Sequence, residues 1–350
     1  MCSTVFITSS PLHILYSLAI IKTKKYNNNY VIVWFGALPL ENYFSSDFTM
    51  EYCNILDLSY LDFNHYYRGV RKHYNLFLEL ISNKINSIDY LFTCFDTQLG
   101  FEVIRNHFSV DWSRVGIIED GIGNYFPNRM PKLIKQIPKS ILNKIQHSFF
   151  LNVTRNNLGG NPKIGILSTL SPERVYINKK SNAEIISIFD EFKSVLNMLK
   201  TDVPEIYKTA EVLVFLSPVL RQKRMRPSEL IKYLKFIKQH PSINKYNNIL
   251  IKPHPREDLT LLKEIVEASF DGEIIIGDLK PIEMYLMCIK AKIWAGMPTT
   301  GMFNNYLLFG KTNSYIIFPV KMRKAPYTNV GINTLKELMG EDLTVCYYNM

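Results

Sequence analysis

The sequence predicts an α/β protein built from two Rossmann-like domains, and three observations predict it. Short apolar runs alternate with amphipathic segments along most of the chain. Several runs, such as Tyr30–Phe35 (YVIVWF) and Glu211–Leu216 (EVLVFL), are apolar without period-two alternation. That is the pattern of strands buried on both faces of a parallel sheet flanked by helices. A length of 350 residues suits two domains. The apolar fraction of 47% and the charged fraction of 21% exclude a disordered, collagen-like or coiled-coil chain.

In the first half, Val5–Thr8 reads as a strand and Leu12–Ile21 as a helix with Leu12, Leu15, Tyr16 and Ala19 on one face. Tyr30–Phe35 and Tyr52–Leu58 read as strands, Tyr74–Asn86 as an amphipathic helix, Tyr90–Phe95 as a strand, Thr97–His107 as a helix and Arg114–Ile118 as a strand. Phe126–Pro162 is irregular, with four prolines, many basic residues and Gly159-Gly160. Lys163–Leu167 reads as one more strand, and Ala183–Leu199 as one long helix carrying Ile185, Ile188, Phe192, Val195 and Leu199 at helical spacing.

A second series follows. Glu211–Leu216 is a strand, Glu229–Gln239 a helix that Ser228 can cap, Asn248–Lys252 a strand and Leu259–Ala268 a helix. Glu273–Ile276 is a strand, Pro281–Lys290 a helix with proline at its start, Ile293–Ala295 a strand, Thr299–Phe309 a helix and Ser314–Phe318 a last strand. The boundary lies near 180–208, giving an N-terminal domain 1–185 and a C-terminal domain 186–350. Ligands of such sheets bind beyond the carboxyl ends of the strands, so the two sheets are expected to face each other across a central cleft.

The net charge is +10, from 41 basic and 31 acidic residues. It favours an anionic partner, although a basic balance also arises simply in a Lys- and Asn-rich chain. The five cysteines (Cys2, Cys53, Cys94, Cys288, Cys346) are scattered and contain no CxxC, which argues against a zinc site or disulfide framework and for a reducing compartment. No run of 18 apolar residues exists. The N-terminus lacks a basic n-region and is broken by Ser9-Ser10-Pro11, so it reads as strand, turn and helix, not a signal peptide.

The chemistry is sought just after each strand. Glu119-Asp120-Gly121 ends one strand, and a carboxylate there can take a proton from an attacking hydroxyl; the alternative is an acidic turn. Lys252-Pro253-His254-Pro255 ends another. Two prolines stiffen that loop, so His254 can donate to a phosphate oxygen and Lys252 can add charge, while a histidine in a surface turn is the plainer explanation. Gly296-Met297-Pro298-Thr299-Thr300-Gly301 offers two hydroxyls and helix-start N–H groups to an anion, or an ordinary helix cap. Glu283 can accept from a ribose diol or simply favour a helix first turn. Ser217, after Glu211–Leu216, can reach a nucleotide or shape its turn; Ser10, with Thr8 and Ser9, ends the first strand, and His13 lies one turn on. There is no GxGxxG after the first strand, no HExxH, no GxSxG and no Asp-x-Asp, and Gly310-Lys311-Thr312 lacks the earlier glycine of a P-loop. No metal-ligand spacing is present.

Together these residues resemble the bacterial sialyltransferases, glycosyltransferase family 52 most closely, in a wider group with families 80 and 38, the last containing polysialyltransferases. Glu119-Asp120-Gly121 matches the acidic-acidic-Gly motif, His254-Pro255 the His-Pro motif and Thr299-Thr300 the Ser/Thr pair, in the family's order, with about 130 and about 45 residues between them. The opening SSPLHILYSL is similar to the family's Thr-Pro-Leu start, with Ser10 in the threonine position.

The resemblance implies a GT-B fold and an inverting transfer of sialic acid from CMP-sialic acid that needs no metal or other cofactor. It implies Asp120 as the base, with Glu119 the alternative, and His254 as donor to the departing phosphate. Thr299 and Thr300 would hold that phosphate, and Glu283 the ribose. The expected acceptor is a lipooligosaccharide or capsular glycan. The expected place is the cytoplasm, with contact to anionic membrane through Arg68–Lys72, Lys132–Lys144 and Arg221–Arg226. Acceptor specificity would lie near Leu38–Phe48 and Arg68–His73, and a homodimer is open. Legionaminic or pseudaminic acid, Kdo or glycerophosphate carried on CMP or CDP are alternative donors. A nucleic-acid-binding role has only the charge and the 13% aromatic content behind it, because the basic residues are dispersed and no RRM, KH or zinc-finger pattern appears. A catalytically dead scaffold is opposed by the intact motif set.

Overall fold

The computed structural model describes residues 3–26, 29–36, 39–44, 53–61, 74–94, 99–119, 165–172, 183–199, 203–310, 313–318 and 329–347. The chain falls into two units, Met1–Val195 and Leu196–Met350. Each is a parallel α/β sheet.

Unit 1 contains β1 (Ser3–Thr8), α1 (Pro11–Lys22), β2 (Tyr30–Trp34), β3 (Asn54–Asp57), α2 (Tyr74–Ser82), β4 (Ile88–Thr93), α3 (Leu99–His107), β5 (Val115–Ile118), β6 (Ile166–Thr169) and β7 (Glu184–Ser187). Helix α4 (Phe189–Met198) then leads into unit 2. The strands lie in the order β3-β2-β1-β4-β5-β6-β7 and all pair in parallel. Their apolar runs are continuous because helices cover the faces; Val5, Ile7, Val33 and Leu91 pack with Phe77 and Ile81 of α2 and Phe101 and Ile104 of α3. Helix α1 is buried almost all round, with Ile14, Leu15, Tyr16, Leu18 and Ile20 inside, so it behaves as a core element and not as a surface helix.

Unit 2 contains α5 (Glu205–Thr209), β8 (Val212–Phe215), α6 (Pro227–Lys238), β9 (Ile249–Lys252), α7 (Leu259–Phe270) and β10 (Ile274–Ile276). A 3-10 turn (Ile282–Tyr285), β11 (Ile293–Gly296), α8 (Thr300–Phe309), β12 (Ser314–Ile317), α9 (Asn329–Met339) and β13 (Leu343–Val345) complete it. Its sheet runs β10-β9-β8-β11-β12-β13, so both units reverse strand order beside their own first strand. Phe215 is in register with Lys252 on one side and with Gly296 on the other, which levels the carboxyl ends of β8, β9 and β11.

Three expectations change. Ala183–Leu199 is not one helix: Glu184–Ser187 joins β6 as the sheet's edge strand, with Glu184 N–H bonded to the Gly165 carbonyl at 2.7 Å and Ile188 N–H to that of Thr169 at 3.1 Å. Its adjacent isoleucines favour a pleated strand once an open edge is available. Pro281–Lys290 shortens to the 3-10 turn Ile282–Tyr285, whose four residues are all buried. Ser228 does not cap α6; Pro227 opens the helix and the Glu229 carboxylate accepts from Arg226 N–H at 2.6 Å. Helices α5 and α9 and strand β13 add to the expected set.

Gly296 closes β11 with φ of +107°, and a Cβ there would overlap the Phe215 carbonyl oxygen and lie 2.8 Å from the Phe215 nitrogen. Gly296→Ala is therefore expected to destabilise the protein by about 3 kcal/mol, combining a left-handed backbone with overlap against a neighbouring strand. A chemical-denaturation midpoint equal to wild type would show that the strand end relaxes freely.

Candidate active site

The reversal between β8 and β11 is the crevice where open α/β sheets take their ligands. Ser217, the Lys252–Pro255 loop and the Gly296–Thr300 segment leave the sheet there at one level. Glu283 reaches the same place from the turn after β10. A Cβ on Gly301 would sit 3.5 Å from both Glu283 Oε1 and Phe215 Cε1, so the start of α8, the 3-10 turn and the end of β8 meet.

His254 is half-buried, between Pro253 and Pro255. Its Nδ1 accepts from the Arg256 N–H at 3.0 Å. A neutral imidazole that accepts at Nδ1 carries its proton on Nε2, so Nε2 is the ring's N–H donor. Burial lowers its pKa to about 4, and the charges of Arg256 and Lys252 push it the same way. At neutral pH His254 is an uncharged donor.

Lys252 is 3% exposed, and its ammonium faces the protein. Nζ donates to the Asp278 carbonyl at 2.6 Å and lies 3.4 Å from Asp278 Oδ1. Burial lowers its pKa to about 8, opposed by the charges of Asp278 and Glu283. The Asp278 carboxylate also accepts from the hydroxyls of Tyr207 (3.0 Å) and Tyr285 (2.5 Å) and from Lys280 N–H (3.1 Å). Glu283 is buried, its Oε1 accepting from Asn304 Nδ2 at 3.2 Å. Burial raises its pKa, while the Asn304 bond and the Lys252 charge counteract the rise.

Thr299 caps α8, its Oγ1 accepting from Met302 N–H at 3.3 Å. A hydroxyl has one donor and two lone pairs, so the cap leaves the Thr299 proton available for a ligand. Thr300 begins the helix beside it, and both are half-buried. Ser217 is buried, with its N–H directed at Met297 Sδ at 3.4 Å.

Glu257, which sequence reasoning missed, is buried and accepts from the N–H groups of Leu220 (3.3 Å), Arg221 (2.9 Å) and Asp258 (2.9 Å). It ties the loop after β8 to the loop after β9. Asp278 was missed as well, though it follows β10 and the rule of looking after each strand would have found it. Tyr207, Tyr285 and Asn304 carry no signal in sequence, since each resembles an ordinary core residue.

In unit 1, Glu119 is completely buried, and its Oε2 accepts from Thr169 Oγ1 at 2.9 Å and Leu170 N–H at 2.8 Å. It braces the end of β5 against the end of β6. Asp120 and Gly121 lie outside the described residues, as do Arg68–Lys72, Lys132–Lys144, Arg68–His73 and, within Leu38–Phe48, residues 38 and 45–48. Ser10 precedes α1 without capping it, and His13 is buried with Nδ1 facing Ser9 N–H at 3.3 Å. Arg221, Lys223 and Arg226 are exposed. Among the described residues no group of three or more His, Cys, Asp or Glu could hold a metal ion, and no helix is long and apolar enough to cross a membrane.

Two doubly wound parallel sheets in series are the fold of the GT-B glycosyltransferases. The sequence model of the alpha-2,8-polysialyltransferase (POLYST) family matches residues 4–317, and the chain belongs to that family. It is thus a glycosyltransferase of the sialyltransferase class. The motifs resemble family 52 most closely, with the polysialyltransferases in the wider group; the family that matches is the polysialyltransferases'. Among solved structures, an alpha/beta-galactoside alpha-2,3-sialyltransferase from Photobacterium phosphoreum is 14% identical, with TM-score 0.55 and 98% of each chain covered. The Methanocaldococcus jannaschii UDP-GlcNAc 2-epimerase, in complex with UDP-GlcNAc and UDP, is 14% identical, with TM-score 0.56, 99% of this chain covered and 89% of that one. Arabidopsis thaliana UGT89C1 complexed with UDP is 10% identical, with TM-score 0.52, 99% of this chain covered and 86% of that one. No curated protein sequence is similar enough to match.

The His254 assignment has a direct check. A pH titration of the imidazole resonances, assigned by their loss in His254→Gln, is expected to give this ring a midpoint near 4. A midpoint near the ordinary histidine value of about 6.5 would overturn the effect of burial, and one above neutral pH would overturn the neutral-donor state.

Proposed function

We propose that the protein transfers sialic acid from CMP-sialic acid to a glycan hydroxyl, with inversion and without a metal ion. The observation that carries the reading is the gathering of Ser217, His254, Glu283, Thr299 and Thr300 around the strand reversal of unit 2, with His254 fixed as an Nε2–H donor. The acceptor oxygen attacks the anomeric carbon as the bond to the CMP phosphate breaks, through an oxocarbenium-like transition state. Asp120 takes the acceptor proton. His254, the two threonine hydroxyls and the first N–H groups of α8 receive the phosphate charge as it develops. Glu283 accepts from the ribose hydroxyls, and Ser217 lines the nucleotide from β8. The family match favours an acceptor that itself ends in sialic acid, within a capsular or lipooligosaccharide glycan.

Calorimetric titration with CMP, CDP, UDP and GDP, in chelator, tests the donor. The expected outcome is selective CMP binding, weakened about tenfold or more in His254→Ala, as the loss of a hydrogen bond to a charged group would cause. Preference for CDP would favour glycerophosphate transfer instead, and binding of no nucleotide would overturn the reading.

What supports Asp120 over Glu119 as base is that Glu119 is buried and already holds Thr169 and Leu170. Asp120→Asn is expected to lower turnover by about 100-fold or more, the usual effect of losing a general base. Glu119→Gln, which keeps an acceptor oxygen for both donors, should stay within about tenfold. The reverse order in a steady-state assay would make Glu119 the base.

A further inference from the structure

We propose that the Gly301–Asn304 face of α8 is a positioning device that sets Glu283 against the ribose and so makes the site select a ribonucleotide over its 2′-deoxy counterpart. This rests on the CMP-sugar reading above and extends it to two residues that touch Glu283 and its turn.

Gly301 and Asn304 are three apart on one helix and share a face. Asn304 is fully buried and gives an amide hydrogen to Glu283 Oε1 at 3.2 Å. That bond fixes one carboxylate oxygen and favours the ionised form in a place where burial opposes it. Gly301 acts by having no side chain: a Cβ would strike Ile282 Cγ2, the residue before Glu283. The 3-10 turn can therefore lie against α8 only where the helix is bare. One helix thus performs two tasks. Its first turn carries Thr299 and Thr300, and the face of Gly301 and Asn304 holds the carboxylate that meets the sugar. A buried carboxylate set for two vicinal hydroxyls is left incompletely paired by a sugar lacking one, and a buried polar group without its partner is the strongest source of rejection a site has.

The test compares CMP with 2′-deoxy-CMP by calorimetry on the full chain. Wild type is expected to prefer CMP by about tenfold or more. Asn304→Ala and Gly301→Ala should each bring the ratio below about threefold, with affinity for 2′-deoxy-CMP within about twofold of wild type; that retained affinity also shows the variants fold. A wild-type ratio kept in Asn304→Ala overturns the proposal while leaving the CMP reading intact. Equal loss for both nucleotides also overturns it, since general damage to the site would act that way. A wild-type protein that binds neither overturns the CMP reading itself.

Discussion

A lysine ammonium buried at the end of β9 requires a partner, and the site in unit 2 depends on the one it has. Lys252 Nζ meets the Asp278 carbonyl at 2.6 Å and approaches its carboxylate. Removing Asp278 would leave the buried ammonium short of a counter-charge. The contact also fixes two functional segments. His254 lies two residues after Lys252, and Tyr285, whose hydroxyl closes on Asp278, lies two residues after Glu283. The His254 loop and the Glu283 turn are therefore braced by the same residue, Asp278. Glu257 adds a second brace, holding the loop after β8 to the loop after β9 through three backbone N–H groups.

The sheet architecture was legible because strands buried on both faces leave continuous apolar runs, and both sheets follow from them. The elements that differ are those where a tertiary neighbour decided the outcome. Ile185 and Ile186 fit a helical period equally well, and only the open edge of β6 makes them a strand. Pro281 announces a helix, but the chain makes only a 3-10 turn there, with Ile282 packed against Gly301 of α8. In the site, His254, Glu283, Thr299 and Thr300 were legible because each stands just after a strand or at a helix start. Asn304 and Tyr207 were not, since an asparagine within a helix and a tyrosine before a strand acquire meaning only from the atom they face. Asp278 was legible in principle, being the polar residue after β10.

At the end of β5 the structure gives Glu119 a local task. Sequence leaves the two carboxylates equivalent in type. The structure gives one of them, Glu119, a full set of local duties: complete burial, the Thr169 hydroxyl and the Leu170 N–H. A carboxylate so engaged and shielded from water suits a brace better than a group that must exchange a proton each turnover. The same reasoning separates Lys252 from His254 in the other unit. The lysine has the larger charge but spends it on Asp278, and the uncharged histidine keeps a donor at Nε2.

Thr299 brings the structural and functional explanations of one residue together. As a cap, its oxygen accepts from Met302 N–H. As a ligand group, its hydrogen can be donated to a phosphate at the same time, because acceptance and donation use different parts of the hydroxyl. The capping bond then has a functional consequence: by holding the oxygen, it restricts where the hydrogen points and sets it in advance of the ligand. His254 follows the same design, since the Arg256 N–H at Nδ1 fixes which nitrogen carries the hydrogen. In both cases a backbone N–H occupies the acceptor side of the group and leaves the donor side available to a ligand. Donors fixed in this way need no reorganisation as the phosphate gains charge, which is the condition under which neutral hydrogen bonds stabilise a departing anion most effectively.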